Sequence, residues 1–202
     1  MALPKAPYNV SLVRYTSADK AKFATIYLVF NGKDKGSFAF IITAHMTHVF
    51  VYGTLKNSQP NFFQMIDKSN GKATFCGGAH TVERFPLVIA GKYNIPFLLN
   101  VPGKGHRVKG EVYCVDSQML QFLDKFEGCP HMYQRTSVDL EVEDWVGESG
   151  TCGSKLAPGS RMKAFVYSTT TYQPQWLTLP YWENYDAYGD HGLAFVSREN
   201  RD

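Results

Sequence analysis

His48–Asn61 reads HVFVYGTLKNSQPN. With Thr47, its first half forms a short apolar run rich in β-branched and aromatic residues, the composition of a buried strand. The run ends abruptly at Gly53 in small and polar residues. A glycine just after a buried strand lets the backbone turn sharply and lets a ligand approach it closely. Successive backbone N–H groups at such a turn can form a concavity for an anion or a developing oxyanion. Tyr52, Gly53, Thr54 and Leu55 are therefore candidate binding residues. On spacing alone a plain strand-ending turn is the simpler reading, since the stretch lacks the extra glycines of a phosphate loop.

Working outward, FATIYLVF (23–30) and FAFIITAHM (38–46) flank NGKDKG, whose Asn31-Gly32 and Asp34-Lys35-Gly36 are turn chemistry. Residues 1–45 read either as a hairpin or as an extension outside the domain, and Met46 falls where the remainder would open directly into the quoted stretch. Residues 1–45 carry a net charge of +4 and residues 46–202 carry −1, so the +3 of the whole chain resides in the N-terminal segment. Downstream, PNFFQMI (60–66) suits a short helix. The pieces between His80 and Gly105 are strand-like, punctuated by Pro86, Gly91, Pro96 and Pro102. HRVKGEVYCV (106–115) and KAFVYS (163–168) read as strands. QRTSVDLEVE alternates, with Thr136, Val138, Leu140 and Val142 on one face. Residues 147–161 read as a flexible excursion, and 169–202, rich in Tyr, Trp and Pro, as an irregular wrap. Strands outnumber helices and most connections are short, which predicts an α+β domain around a closed or half-closed mixed sheet.

A chain of 202 residues, 44% of them hydrophobic, makes one domain with its own core, or one domain with an appendage. No apolar run reaches the ~18 residues of a membrane span. The first residues lack a secretory pattern. No basic patch is interleaved with aromatics, which argues against nucleic acid. Cys76, Cys114, Cys129 and Cys152 are widely spread, so reduced thiols in the cytosol are expected. The histidines show no metal-ligand spacing, and no metal site is suggested.

One helix is convincing, DSQMLQFLDKFEG. Asp116 or Ser117 supplies the N-cap; Met119, Leu120, Leu123 and Phe126 form the apolar stripe; Gly128 stops it. Glu127 ends this helix, where the macrodipole disfavours a carboxylate, with Phe126 and Cys129 beside it. Both effects raise a carboxylate pKa, which suits a general acid/base. From the local pattern alone, an exposed, solvated glutamate is the simpler reading. Cys129 reads as a buried thiol, Asp116 as a cap, and Trp176 and Trp182 as packing.

In order and spacing, VFVYGTLK, FPLVIAGKYNIPFLLNVPGKG, VKGEVYCVD, MLQFLDKFEGCPHMYQR and FVYS resemble the gamma-glutamylcyclotransferase-like superfamily, over about residues 46–202. The PLVIAG.YNIP segment and the run ending in CP..YQR resemble its gamma-glutamylamine branch. Lys125 departs from the acid that the branch carries before its Phe-Glu, residues 143–162 are not anchored, and residues 1–45 have no counterpart. The resemblance implies a small mixed β-barrel with flanking helices, a 1–45 extension and a 46–202 catalytic domain. It implies an enzyme that releases a free amine from a gamma-glutamylamine, notably gamma-glutamyl-epsilon-lysine, as 5-oxoproline forms. It also implies no cofactor and no metal, with Glu127 as base and then acid, and Tyr52–Leu55 as the substrate and oxyanion site. A cytosolic monomer is expected, acting on a small molecule and binding neither nucleic acid nor membrane. Other gamma-glutamyl substrates, or a noncatalytic binding domain of the same fold, are the alternatives.

Overall fold

Three strands precede the quoted stretch in the computed structural model, which describes residues 9–14, 23–31, 37–147 and 154–201, with backbone alone up to residue 45. β1 (Asn9–Arg14), β2 (Phe23–Asn31) and β3 (Ser37–His45) form an antiparallel sheet in the order β1-β2-β3. The expected hairpin is present, with Asn31 opposite Ser37. The turn between them lies outside the described residues, as do residues 148–153 of the 147–161 excursion. β1 adds a strand that the composition does not announce.

The quoted stretch forms β4 (Thr47–Val51), the hub of a closed barrel. The other barrel strands are β5 (Ala73–Thr81), β8 (Lys109–Val115), β9 (Gln134–Val142) and β10 (Arg161–Ser168), in the cyclic order β10-β4-β8-β5-β9. β10 runs parallel to β4, pairing Phe165 with Val49, and every other junction is antiparallel. The predicted mixed sheet is thus closed. Outside it lie a single helical turn, α1 (Phe63–Ile66), and a two-stranded ribbon of β6 (Leu87–Ala90) and β7 (Ile95–Leu98).

Alternation along each strand separates two cores. Phe50, Val112, Cys114, Val138, Leu140 and Val166 belong to one cluster, the barrel interior. Val49, Val51, Tyr113 and Val115 belong to the other, covered by α2 (Ser117–Phe126). Met119 and Leu123 are the fully buried residues of α2. Burial of each side chain contributes about 1.5–3 kcal/mol. Asp116 caps α2 by accepting from the Met119 N–H at 2.8 Å.

β5 was not foreseen as a strand. Gly77 and Gly78 break the β-branched composition of a strand, and they are there because another segment passes close by. A Cβ at Gly77 would stand 2.1 Å from the Asp144 carbonyl oxygen, and the Gly78 N–H donates to Asp144 Oδ1 at 2.8 Å. Cys76 and Cys129 are free, whereas Cys114 is disulfide-bonded, departing from the expectation of reduced thiols. Among the described residues no helix is long and apolar enough to cross a membrane.

Candidate active site

The Tyr52–Leu55 turn leaves β4 at the mouth of the barrel. Its shape is fixed by the loop that follows. The Lys56 N–H donates to the Gly53 carbonyl at 3.1 Å, and the Asn61 N–H to the Thr54 carbonyl at 2.9 Å. Asn61 Nδ2 also donates to Thr54 Oγ1 at 2.8 Å. The carbonyls are used in this way, but the N–H groups of Gly53, Thr54 and Leu55 have no acceptor among the described residues. These three donors belong to residues that line an open cavity, where a ligand can meet them.

Gly53 sits in close approach to its neighbour. A Cβ at this position would lie 3.0 Å from Pro96 Cγ of β7. The ribbon is held against the turn by Tyr52, whose hydroxyl accepts from the Leu98 N–H at 3.2 Å. That hydroxyl also donates to the Tyr167 carbonyl at 2.8 Å. Burial, then the nearby Glu127, push the Tyr52 phenol well above its ordinary pKa. The Tyr52 side chain is therefore occupied as a brace.

Glu127 is the C-cap of α2, as its position at the helix end suggested. The helix closes in a Schellman motif: the Cys129 N–H reaches the Asp124 carbonyl at 2.9 Å and the Gly128 N–H reaches Lys125 at 3.1 Å. Gly128 takes the required positive φ of 66°. The Asp124 carboxylate ties this corner to the barrel, accepting from Arg135 Nη1 at 2.6 Å and from the Tyr167 hydroxyl at 2.8 Å. Removal from water pushes the Glu127 carboxyl from 4.5 up to about 7, against the opposing pull of Arg198.

Tyr52, Gly53, Thr54, Leu55 and Glu127 all line one open cavity of about 60 Å³. Pro96, Met132, Tyr133 and Tyr167 complete its walls, together with Arg198 and Arg201. A second hollow, of about 220 Å³ beside Asn57 and Phe75, contains none of these residues. Among the described residues no cluster of His, Cys, Asp and Glu could hold a metal.

The arginines were not singled out in the sequence, since they sit in an irregular segment without periodicity. Lys56 was missed too. It is buried, and its Nζ donates to Asn184 Oδ1 at 2.5 Å and to the Tyr185 carbonyl at 2.8 Å. Gln59 adds a bond to Asp186 Oδ1 at 3.0 Å. The expected wrap of 169–201 is thereby pinned to the loop that shapes the turn. Trp176 packs on Phe97 with ring centroids 4.6 Å apart, the packing role expected of it.

A small mixed barrel gathers a carboxyl near neutrality and unpaired N–H donors round one cavity, an arrangement able to exchange a proton and to bind an anion. The family described as "Gamma-glutamyl cyclotransferase, AIG2-like" matches residues 49–187. A gamma-glutamylaminecyclotransferase of Rattus norvegicus is 59% identical over 156 residues, 77% of this chain and 100% of that protein. One of Homo sapiens is 47% identical over 157 residues, again 77% and 100%. The crystal structure of an AIG2-like protein from Mus musculus, 56% identical, superposes with a TM-score of 0.71 over 78% of this chain and 99% of that one. The chain belongs to the AIG2-like gamma-glutamyl cyclotransferase family of enzymes.

Proposed function

We propose that the protein converts gamma-glutamylamines to 5-oxoproline and a free amine, with gamma-glutamyl-epsilon-lysine as the leading substrate. The observation that carries this reading is that Glu127, poised near neutrality, and the three unpaired N–H groups of Gly53–Leu55 share one cavity. Relatives matched along their full length are named for the same activity.

The substrate brings its own nucleophile, the glutamyl α-amine, an ammonium at neutral pH. Glu127 accepts one proton from it. The freed nitrogen attacks the γ-carbonyl carbon, and the carbonyl electron pair moves onto oxygen. The Gly53–Leu55 N–H groups donate to that oxyanion without side-chain bulk. Glu127 returns its proton to the leaving nitrogen and takes the second proton from the ring nitrogen. As the carbonyl re-forms, the bond to the leaving nitrogen breaks, and the departing amine carries that second proton away as an ammonium. One carboxyl serves as base and then acid because its pKa lies near the working pH. Attack is intramolecular and closes a five-membered ring, so the cavity mainly has to hold the folded substrate.

The test is to incubate purified protein with gamma-glutamyl-epsilon-lysine and with gamma-glutamyl-alanine and to measure 5-oxoproline. Product from the first and little from the second is expected. Preference for the second would make the protein a cyclotransferase for other gamma-glutamyl compounds. No product from either would leave only a binding domain.

A further inference from the structure

Arg198 and Arg201 line the same cavity as Glu127. A 3₁₀ turn spans Arg198–Asn200, and Arg201 caps it. The short turn keeps the two residues close in the chain, and both line the cavity. Arg198 is oriented by the end of α2: its Nη2 donates to the Phe126 carbonyl at 2.5 Å, and its guanidinium lies 4.3 Å from the Phe126 ring centroid. Arg201 is oriented by its own segment, donating Nε and Nη2 to the Val196 carbonyl at 3.2 and 3.1 Å.

A guanidinium has five N–H donors, and most on each arginine have no acceptor among the described residues. Neither makes an ion pair among the described residues. Burial and then the charge of Arg198 push Arg201 below its ordinary pKa. Glu199 acts on both guanidiniums and Glu127 on Arg198, but neither carboxylate is in ion-pair contact with either arginine among the described residues, so two like charges still converge on the cavity. A ligand carboxylate relieves that repulsion and matches the planar fork bidentately.

We propose that Arg198 and Arg201 together receive the α-carboxylate of the γ-glutamyl unit. This rests on the cyclotransferase reading above. The carboxylate and the nucleophilic amine share one carbon, so the carboxylate carbon lies about 2.5 Å from the nitrogen that Glu127 deprotonates. Without a cation nearby, substrate carboxylate and Glu127 would be two negative charges in one cavity. Arg198 is the cation whose charge acts on Glu127. The pair therefore holds the glutamyl unit by its fixed end and leaves the amine side open to variation.

The test compares gamma-glutamyl-n-butylamine, which has one carboxylate, with the same compound carrying an α-carboxamide. Wild type should prefer the carboxylate by on the order of 30-fold in kcat/KM, the span expected for charge-assisted hydrogen bonds. In the double variant Arg198→Met and Arg201→Met that preference should collapse to about 3-fold or less, with KM rising more than kcat falls. Arg201→Lys should recover part of it. A clamp that only orders the segment would lower stability and leave the ratio intact, and an intact ratio overturns the proposal. A KM rise confined to gamma-glutamyl-epsilon-lysine would overturn it too, because the pair would then read the leaving amine's carboxylate. If the double variant does not fold, Arg201→Met alone carries the same comparison. Wild type that makes no 5-oxoproline sinks the parent reading as well; active wild type with an unchanged ratio sinks only this one.

Discussion

The hydroxyl of Tyr52 donates to the carbonyl of Tyr167 at 2.8 Å and accepts from the backbone N–H of Leu98 at 3.2 Å. One side chain thereby ties β4 to β10, its parallel neighbour in the barrel, and to β7, which carries Pro96 against Gly53. With both capacities used, the phenol braces the cavity while the backbone beyond it remains free to donate.

Tyr52→Phe tests that division of labour. It strands a buried carbonyl and a buried N–H, at a cost of about 1–3 kcal/mol. Chemical denaturation should show that loss, while kcat stays within about tenfold of wild type, well short of losing a catalytic proton carrier. A much larger fall in kcat with unchanged stability would place the hydroxyl in contact with substrate.

Glu127→Gln should abolish 5-oxoproline formation and leave the fold intact. The wild-type carboxyl has a folded pKa of about 7 against 4.5 unfolded, so the folded state holds its proton more tightly. The resulting stability is fully present below pH 4.5 and is lost as pH rises through 7. At pH 8 the glutamine variant should be the more stable protein, by about 3 kcal/mol at most and less as solvent reaches the carboxyl. The advantage should vanish near pH 4. In wild type, kcat/KM should climb with pH through about 7, as the base form appears. Appreciable turnover by the variant would mean that the base lies elsewhere.

Gly53→Val places a branched side chain where a bare Cβ already comes within 3.0 Å of Pro96 Cγ. Overpacking of this kind costs about 1–3 kcal/mol. The turn must shift, and its N–H groups with it, so kcat should fall at least tenfold, the loss of a fraction of one oxyanion donor. Unchanged kcat and KM would refute the backbone role of Gly53–Leu55.

How much was legible in advance differs by element, for physical reasons. β9 was readable because its outer face is solvated: Val138, Leu140 and Val142 are buried between exposed Ser137 and Asp139. α2 could be read from its cap to its stop because both ends use local chemistry, Asp116 on Met119 and the positive φ of Gly128. The uncomfortable position of Glu127 was visible for the same reason. β5 was hidden because its glycines answer to Asp144, 66 residues away for the Gly78 pair. Lys56 and the two arginines were hidden because their partners are fixed only by tertiary folding. Lys56 meets Asn184 across 128 residues, and Arg198 meets Phe126 across 72. Periodicity and spacing carry no trace of such pairs.

Removing residues 1–45 should preserve activity. The barrel closes through β10 and β4 without β1, β2 or β3, and the family match begins at residue 49. The shortened protein should unfold cooperatively and match full-length kcat/KM within a few-fold, the scatter expected when no site residue is touched. An aggregated or unfolded product would show that the first sheet belongs to the domain.

Gly128→Ala addresses the corner that presents Glu127. The φ of 66° is left-handed, where an alanine costs about 1–2 kcal/mol. The added Cβ also stands 3.2 Å from Met132 Cβ, on another wall of the cavity. The Schellman bonds from Gly128 and Cys129 then compete with a relaxed helix end, which rotates Glu127 away from the turn. Thermal unfolding should drop by several degrees, as about 1–2 kcal/mol implies for a chain of this size, and kcat should fall further than KM rises. Gly128→Asn should keep more of both, since asparagine tolerates the left-handed region. An alanine variant with wild-type melting and kcat would show that the corner does not depend on this conformation, and that Glu127 is held by the Asp124 contacts alone.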